Sequence, residues 1–380
     1  MTKIIDITKR VYGGGTPDTR KSEYWNGNIK WLSSGETRNN FVYDTDKKIT
    51  ELGVSNSSTK LANKNSIVMA CAGQGFTRGQ TSYLMDDMYI NQSVICIEPD
   101  EEKVDGLFLY YYFKNSYQML RNLSDDHSSR GSITTAMIKN LEVDFPNLTN
   151  QKKISTILYS LDKKIELNNE INNNLYEMGD NLYNEYFGKY KDNLPSDYNI
   201  VKLNEVADNY DSKRKPMSSR EREQHKGIYP YYGATSIIDY VDDYIFDDTY
   251  LLMGEDGTVK TDEGYPVLQY IWGKNWINNH AHVLKGKKIS TELLMFALRK
   301  INIENIITGA VQPKINQENM NKIEFVIGSD SKNKELENIL KNLMDKSKNI
   351  IEENIKLEQL RDTLLPKLMN GEIDLDNIEI

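Results

Sequence analysis

At 380 residues the chain is long enough for two to three domains of roughly 150 residues each. With 47 Lys plus Arg against 56 Asp plus Glu, its net charge of −9 excludes a uniformly basic coat, so any nucleic-acid surface has to be a local patch. The mean hydropathy is −0.62, and no apolar stretch approaches the roughly 18 residues of a membrane span. The first residues, Met1 to Arg10, hold no apolar core of a secretory signal. Cys71 and Cys96 are too few for a disulfide scaffold and lack zinc-ligand spacing. A soluble protein of the reducing cytoplasm, without membrane contact, is the expectation.

In chain order, residues 1–150 read as a compact α+β domain. Short β-branched runs at 66–70 and 93–97 are separated by Gly, Asn and Asp clusters, with one helical pattern near 107–120. Its candidate chemistry is on polar, glycine-bearing loops. Ser34 and Arg38 flank Gly35; Gln74, Phe76, Thr77, Arg78 and Gln80 surround Gly75 and Gly79; Arg130 precedes Gly131. Glycine lets backbone approach a groove, and Arg or Gln can read guanine or adenine bidentately. The bland alternative is an ordinary glycine turn with solvated side chains.

Residues 151–188 form the first long helix. Ile154, Leu161, Asn168, Leu175 and Leu182 recur every seven residues, with Leu158, Ile165 and Met178 on the same face. A linker at 189–195 leads to a second α+β domain at 196–330, with strand-like runs at 250–253 and 281–284. Its candidates are Lys213, Arg214 and Lys215, the most basic run in the chain, with Thr235, Thr258, Lys260 and Lys314 on further turns. Glu255 and Asp256 beside them would repel phosphate unless one accepts from cytosine N4. A second long helix follows at 331–370. Leu336, Leu343, Ile350, Leu357 and Leu364 repeat the heptad in phase, each 182 residues after its counterpart, before a tail at 371–380.

The chain is therefore written twice. Besides the helices, the Ile67-Val68-Met69 run returns as Leu251-Leu252-Met253, and Asn91-Gln92-Ser93 as Asn279-His280-Ala281. Helices of roughly 50 Å are too long for isolated surface elements, so they are expected to pair as an antiparallel coiled coil with pseudo-two-fold symmetry. Asn168, Ser347 and Asn354 soften the seam, which fixes register at some expense in stability. Pro366 followed by Gly371 should bend or end the second helix.

Catalytic signatures are missing. There is no Gly-x-x-x-x-Gly-Lys-Ser/Thr loop, no dinucleotide fingerprint, no Asn-Pro-Pro-Tyr type stretch and no nucleophile elbow. Pro99-Asp100 with Glu101, Glu102 and Lys103 is a poor match to a nuclease centre. His280 and His282 would share a strand face, but without supporting ligands they read as structural contacts.

Taken together, Gly14-Gly15-Thr16-Pro17, Tyr24-Trp25-Asn26-Gly27, Ile29 to Glu36, Gln151-Lys152-Lys153-Ile154, Leu161 to Glu166, Trp276 to Leu284 and Leu364 to Ile373 resemble the specificity subunit of Type I restriction-modification systems. The resemblance covers essentially the whole chain. It implies two target recognition domains, at 1–150 and 196–330, spaced by paired helices about one to two DNA turns long. It also implies a non-catalytic role in phage defence: the chain reads a bipartite, asymmetric site in double-stranded DNA and docks two methyltransferase subunits, with restriction subunits able to join. No cofactor belongs to this chain on that reading; S-adenosylmethionine sits in the methyltransferase partner, and ATP and Mg in the restriction partner. Two other readings compete. One is a DNA-recognition module of another methyltransferase or defence system, and the other is a coiled-coil adaptor that touches no DNA.

Overall fold

The computed structural model describes residues 1–73, 75–125, 131–309 and 311–375. The chain divides into two compact units, one of residues 1–166 with 354–380, the other of residues 167–353. Each long helix therefore contributes one end to each unit. No helix among the described residues is long and apolar enough to cross a membrane.

The first unit is built on a five-stranded sheet in the order Thr8–Gly13, Val94–Pro99, Ile67–Ala70, Thr81–Leu84, Phe41–Val42. The Ile67–Ala70 strand is buried on both faces, which is why its sequence is continuously apolar rather than alternating. A four-stranded sheet (Lys47–Ile49, Trp25–Leu32, Met88–Ile90, Lys60–Ala62) and a two-stranded pair (Thr2–Lys3 with Glu142–Val143) complete it. The helix Gly106–Asn115 fills the core with Phe108, Leu109, Tyr110, Tyr111 and Phe113. Asp105 caps that helix, accepting from the Phe108 amide at 2.8 Å.

The second unit repeats this plan. Ala207–Asn209, Ala281–Gly286, Tyr250–Gly254 and Leu268–Ile271 form its main sheet, and Asn199–Lys202 pairs with Glu324–Ile327. A further four-stranded sheet (Ile237–Val241, Lys226–Tyr232, Lys274–Ile277, Phe246–Asp247) holds the same single parallel pairing as the four-stranded sheet of the first unit, Tyr231 beside Trp276 here and Trp31 beside Tyr89 there. The duplication seen in a few sequence anchors is thus a duplication of topology.

The central helix spans Leu148–Tyr186 and the C-terminal helix Asp330–Met369. The first starts three residues earlier than expected because Asn147 caps it, its side chain accepting from the Asn150 amide at 2.9 Å. At the start of the second, Asn333 is buried and exchanges two hydrogen bonds with the Gly328 backbone at 3.0 and 3.1 Å. Pro366 does not end the helix; the chain continues to Met369 and turns at Gly371, which has φ of 70°.

Within each unit the two helix ends run antiparallel. In the first, Ile154 and Leu158 join one core with Leu365 and Leu368, while Asp162 meets Arg361. In the second, Asn168 donates to Glu353 at 2.8 Å and Tyr186 to Glu335 at 2.8 Å. Of the expected seam residues, Ile154, Asn168, Leu175, Leu336 and Ile350 are buried, whereas Leu161, Leu182, Leu343, Leu357 and Leu364 are half-buried. Met178 is exposed, a correction to its expected place on the buried face; Leu175 and Gly179 are the buried positions there.

Gly179 sits in a helix interior because the Phe296 ring occupies the space its Cβ would need. Alanine would gain up to about 1 kcal/mol of helix propensity. Phe296 is itself fully buried and has nowhere to move, so overpacking of about 1–3 kcal/mol should dominate. Gly179→Ala is therefore expected to lower the unfolding midpoint in guanidinium, and a raised midpoint would show that the ring yields.

Candidate nucleic-acid interface

In the first unit, the short helical turn Ser34–Arg38 and the loop at residues 75–80 border an open cleft of about 420 Å³. Arg38, Phe76 and Gln80 line it together, joined by Asn40, Lys114 and Tyr117. Arg38 and Phe76 are exposed, Phe76 to 82%. The loop is braced from behind: the Tyr117 hydroxyl donates to the Phe76 carbonyl at 2.8 Å and Arg121 donates to the Gly75 carbonyl at 2.5 Å. Ser34 and Thr77 are half-buried supports, their carbonyls accepting from the Thr37 hydroxyl at 2.7 Å and the Gln80 amide at 3.0 Å. Gln74 and Arg130 lie outside the described residues.

Arg78 does not point into this cleft. Its residue is only 6% exposed, its guanidinium pairs with Asp125, and a side chain at Gly131 would overlap it. The expectation of a base-reading Arg78 is corrected to that of a brace fixing the loop.

Lys114, Tyr117 and Asn40 reach the cleft through the fold and belong to no polar glycine loop of the sequence. Lys114 is the one cation of the helix Gly106–Asn115, which is the mark it carries in the sequence. Burial holds its ammonium below the usual lysine range, opposed by the nearby Asp162 carboxylate. It also donates to the Asn40 side chain at 2.9 Å.

In the second unit, three predicted loops and the start of the Ala281–Gly286 strand converge. Arg214 donates to Glu255 at 2.7 Å and to the Ala281 carbonyl at 2.6 Å, while Lys314 lies 3.3 Å from Glu255. His282 completes the knot, its ring nitrogens 2.6 Å from the Asp211 carboxylate and 2.8 Å from the Ile315 carbonyl. Burial would raise the Asp211 carboxyl, but His282 and the Val283 amide hold it below its ordinary value.

Asp211, Glu255 and His282 are close enough to hold a metal. Their atoms are already spent: both ring nitrogens face acceptors, and the carboxylates receive Arg214 and Lys314. The arrangement is an ion-pair scaffold. Arg214, expected as a DNA phosphate contact, is accordingly corrected to a scaffold residue, and Lys260 is paired with Glu304. Lys213, Lys215 and Thr258 are exposed around the scaffold. Thr235 is exposed on the hairpin turn between Lys226–Tyr232 and Ile237–Val241, outside the convergence.

A family model described as "Type I restriction modification DNA specificity domain" matches residues 2–177 and again 195–359. The chain belongs to this family. Both units thus carry a specificity domain, in agreement with the repeated topology. Among curated relatives, a type I restriction enzyme specificity subunit of Haemophilus influenzae is 35% identical over 139 residues, 36% of this chain and 35% of that one. The MjaIX specificity subunit of Methanocaldococcus jannaschii is 22% identical over 100% of this chain and 94% of its own. The crystal structure of the S subunit from M. genitalium superposes with a TM-score of 0.63 at 18% identity, covering 97% of this chain and 95% of that one. That likeness establishes the two-domain, long-helix fold. The alignment with the first relative spans about a third of its length.

Proposed function

We propose that this chain is the non-catalytic specificity subunit of a Type I restriction-modification complex working in the cytoplasm. The observation that carries the reading is one fold present twice with two unlike loop surfaces, an aromatic and amide cleft in one unit and an ion-pair scaffold rimmed by Lys213, Lys215 and Thr258 in the other. Two copies of one fold suit two equivalent methyltransferase partners. Unlike loops suit a bipartite, asymmetric DNA target. S-adenosylmethionine would belong to the methyltransferase subunits, and ATP and Mg to the restriction subunits.

Mapping methylated positions across the host genome by single-molecule sequencing, with and without the gene, tests this directly. A split motif that vanishes on deletion is expected, and an unchanged methylation pattern would refute it. Within that motif, Arg38→Ala and Gln80→Ala should each relax base choice in one half only, by about 1–3 kcal/mol of discrimination. Equal loss over all sequences would reduce both residues to backbone contacts.

A further inference from the structure

The strand Thr8–Gly13 is the outer edge of the first unit's main sheet, paired only with Val94–Pro99. Along it runs an open groove of about 660 Å³ lined by Lys9, Arg10, Tyr12, Lys60, Leu61 and Lys139, among others. The four cations come from the edge strand, the strand Lys60–Ala62 and the short helix Thr135–Asn140, so no basic run in the sequence announces them.

The one buried carboxylate here, Glu98, is fully occupied. It holds Arg10 through two bonds of 2.7 Å and receives the Asn63 side chain at 3.0 Å, with the Tyr12 hydroxyl 2.9 Å away. Tyr12 forms the floor, with Arg10 and Lys60 5.1 and 5.7 Å from its ring centre. Among the described residues Lys9, Lys60 and Lys139 form no ion pair; Asp100, which lies in the field of Lys9, is bonded to Lys103 at 3.2 Å. A chain of net charge −9 thus concentrates three unneutralised ammonium groups around one groove.

The equivalent edge of the second unit is different. After matching short helical turns, Ile4–Ile7 and Leu203–Val206, the strand positions of Lys9 and Arg10 are taken by Asp208 and Asn209. Asp208 there is itself bonded to Lys287 at 3.3 Å.

We propose that the groove is a phosphate clamp confined to the first unit, binding DNA backbone beside the bases that unit reads. The inference rests on the DNA-binding reading above. Lysine ammoniums at separate points on a rim, with no guanidinium fork free, suit the repeated charges of a phosphate strand. Tyr12 and Leu61 provide an apolar floor for sugar edges. The groove and the Arg38 cleft lie toward opposite edges of a five-stranded sheet, roughly 15–20 Å apart at ~4.8 Å per strand. The clamp therefore contributes affinity without sequence information.

The test uses the full chain with fluorescently labelled duplexes, one carrying the methylated motif and one scrambled, titrated by anisotropy over a salt series. Lys9→Gln, Lys60→Gln and Lys139→Gln together should make the slope of log affinity against log salt shallower by about 2.7, at roughly 0.9 per phosphate contact, with equal loss on both duplexes. Each single variant should remove about 0.9, which keeps the test valid if the triple variant misfolds. An unchanged slope overturns the clamp. So does a variant that binds DNA normally but loses assembly with methyltransferase subunits, because the groove would then receive an acidic protein surface. A wild-type chain that cannot tell the two duplexes apart would instead defeat the DNA-specificity reading itself.

Discussion

Asp162→Ala should destabilise the first unit by about 3–5 kcal/mol, the range for removing one partner of a buried ion pair. Its side chain is 2% exposed and accepts from Arg361 at 2.7 Å, Tyr111 at 2.8 Å and Asn40 at 3.3 Å, with Lys114 3.8 Å away. Burial alone would lower the Arg361 pKa, and Asp162 more than reverses this. Alanine would leave Lys114 without its buried carboxylate and Arg361 with only the exposed Asp362, 2.8 Å away, opposite it. Since Lys114 and Asn40 also line the candidate cleft, the damage should reach recognition. Guanidinium unfolding followed by circular dichroism checks the magnitude. Adding Arg361→Leu should restore part of the loss, because an apolar replacement removes the stranded charge. A single variant with wild-type stability would mean that water reaches the site and replaces the carboxylate.

Arg214→Ala should act at the other end of the chain and on one half-site only. The guanidinium, 12% exposed, ties Glu255 and Asp211 to the Ala281 carbonyl. Its loss leaves two carboxylates facing each other across His282 and frees the turns that carry Lys213, Lys215 and Thr258. A loss of about 2–5 kcal/mol is expected for truncating one member of a buried, hydrogen-bonded charge pair. Methylation mapping should then show the second half of the motif degraded and the first half retained. Equal degradation of both halves would show that Arg214 supports the whole chain rather than one reading surface.

The repeat and the long helices were legible because seven-residue spacing survives in sequence whatever surrounds it. Leu161 illustrates the limit. A strict heptad selects it, yet the neighbouring Asp162 is the fully buried residue, because the fold sets Tyr111, Arg361 and Asn40 against that position and no pattern rule credits a carboxylate with burial. Arg78 was legible as a cation beside glycine turns and Arg214 as part of a basic run, but neither as a brace. Their carboxylates, Asp125 and Glu255, lie 47 and 41 positions away and are brought near only by the fold. The groove cations were hidden for the same reason, scattered from Lys9 to Lys139.

The division of the chain also bears on its birth at the ribosome. The first unit's core includes Leu365, Leu368 and Leu375, which are made only after the whole of the second unit. The second unit draws only on residues 167–353. Although folding during synthesis usually favours the N-terminal domain, here the downstream unit has all its parts first. The N-terminal one waits, with an unfilled apolar gap, until residues 354–375 have been made. A premature stop shortly after Glu353 would therefore spare the second unit and cripple the one encoded farthest from the lesion.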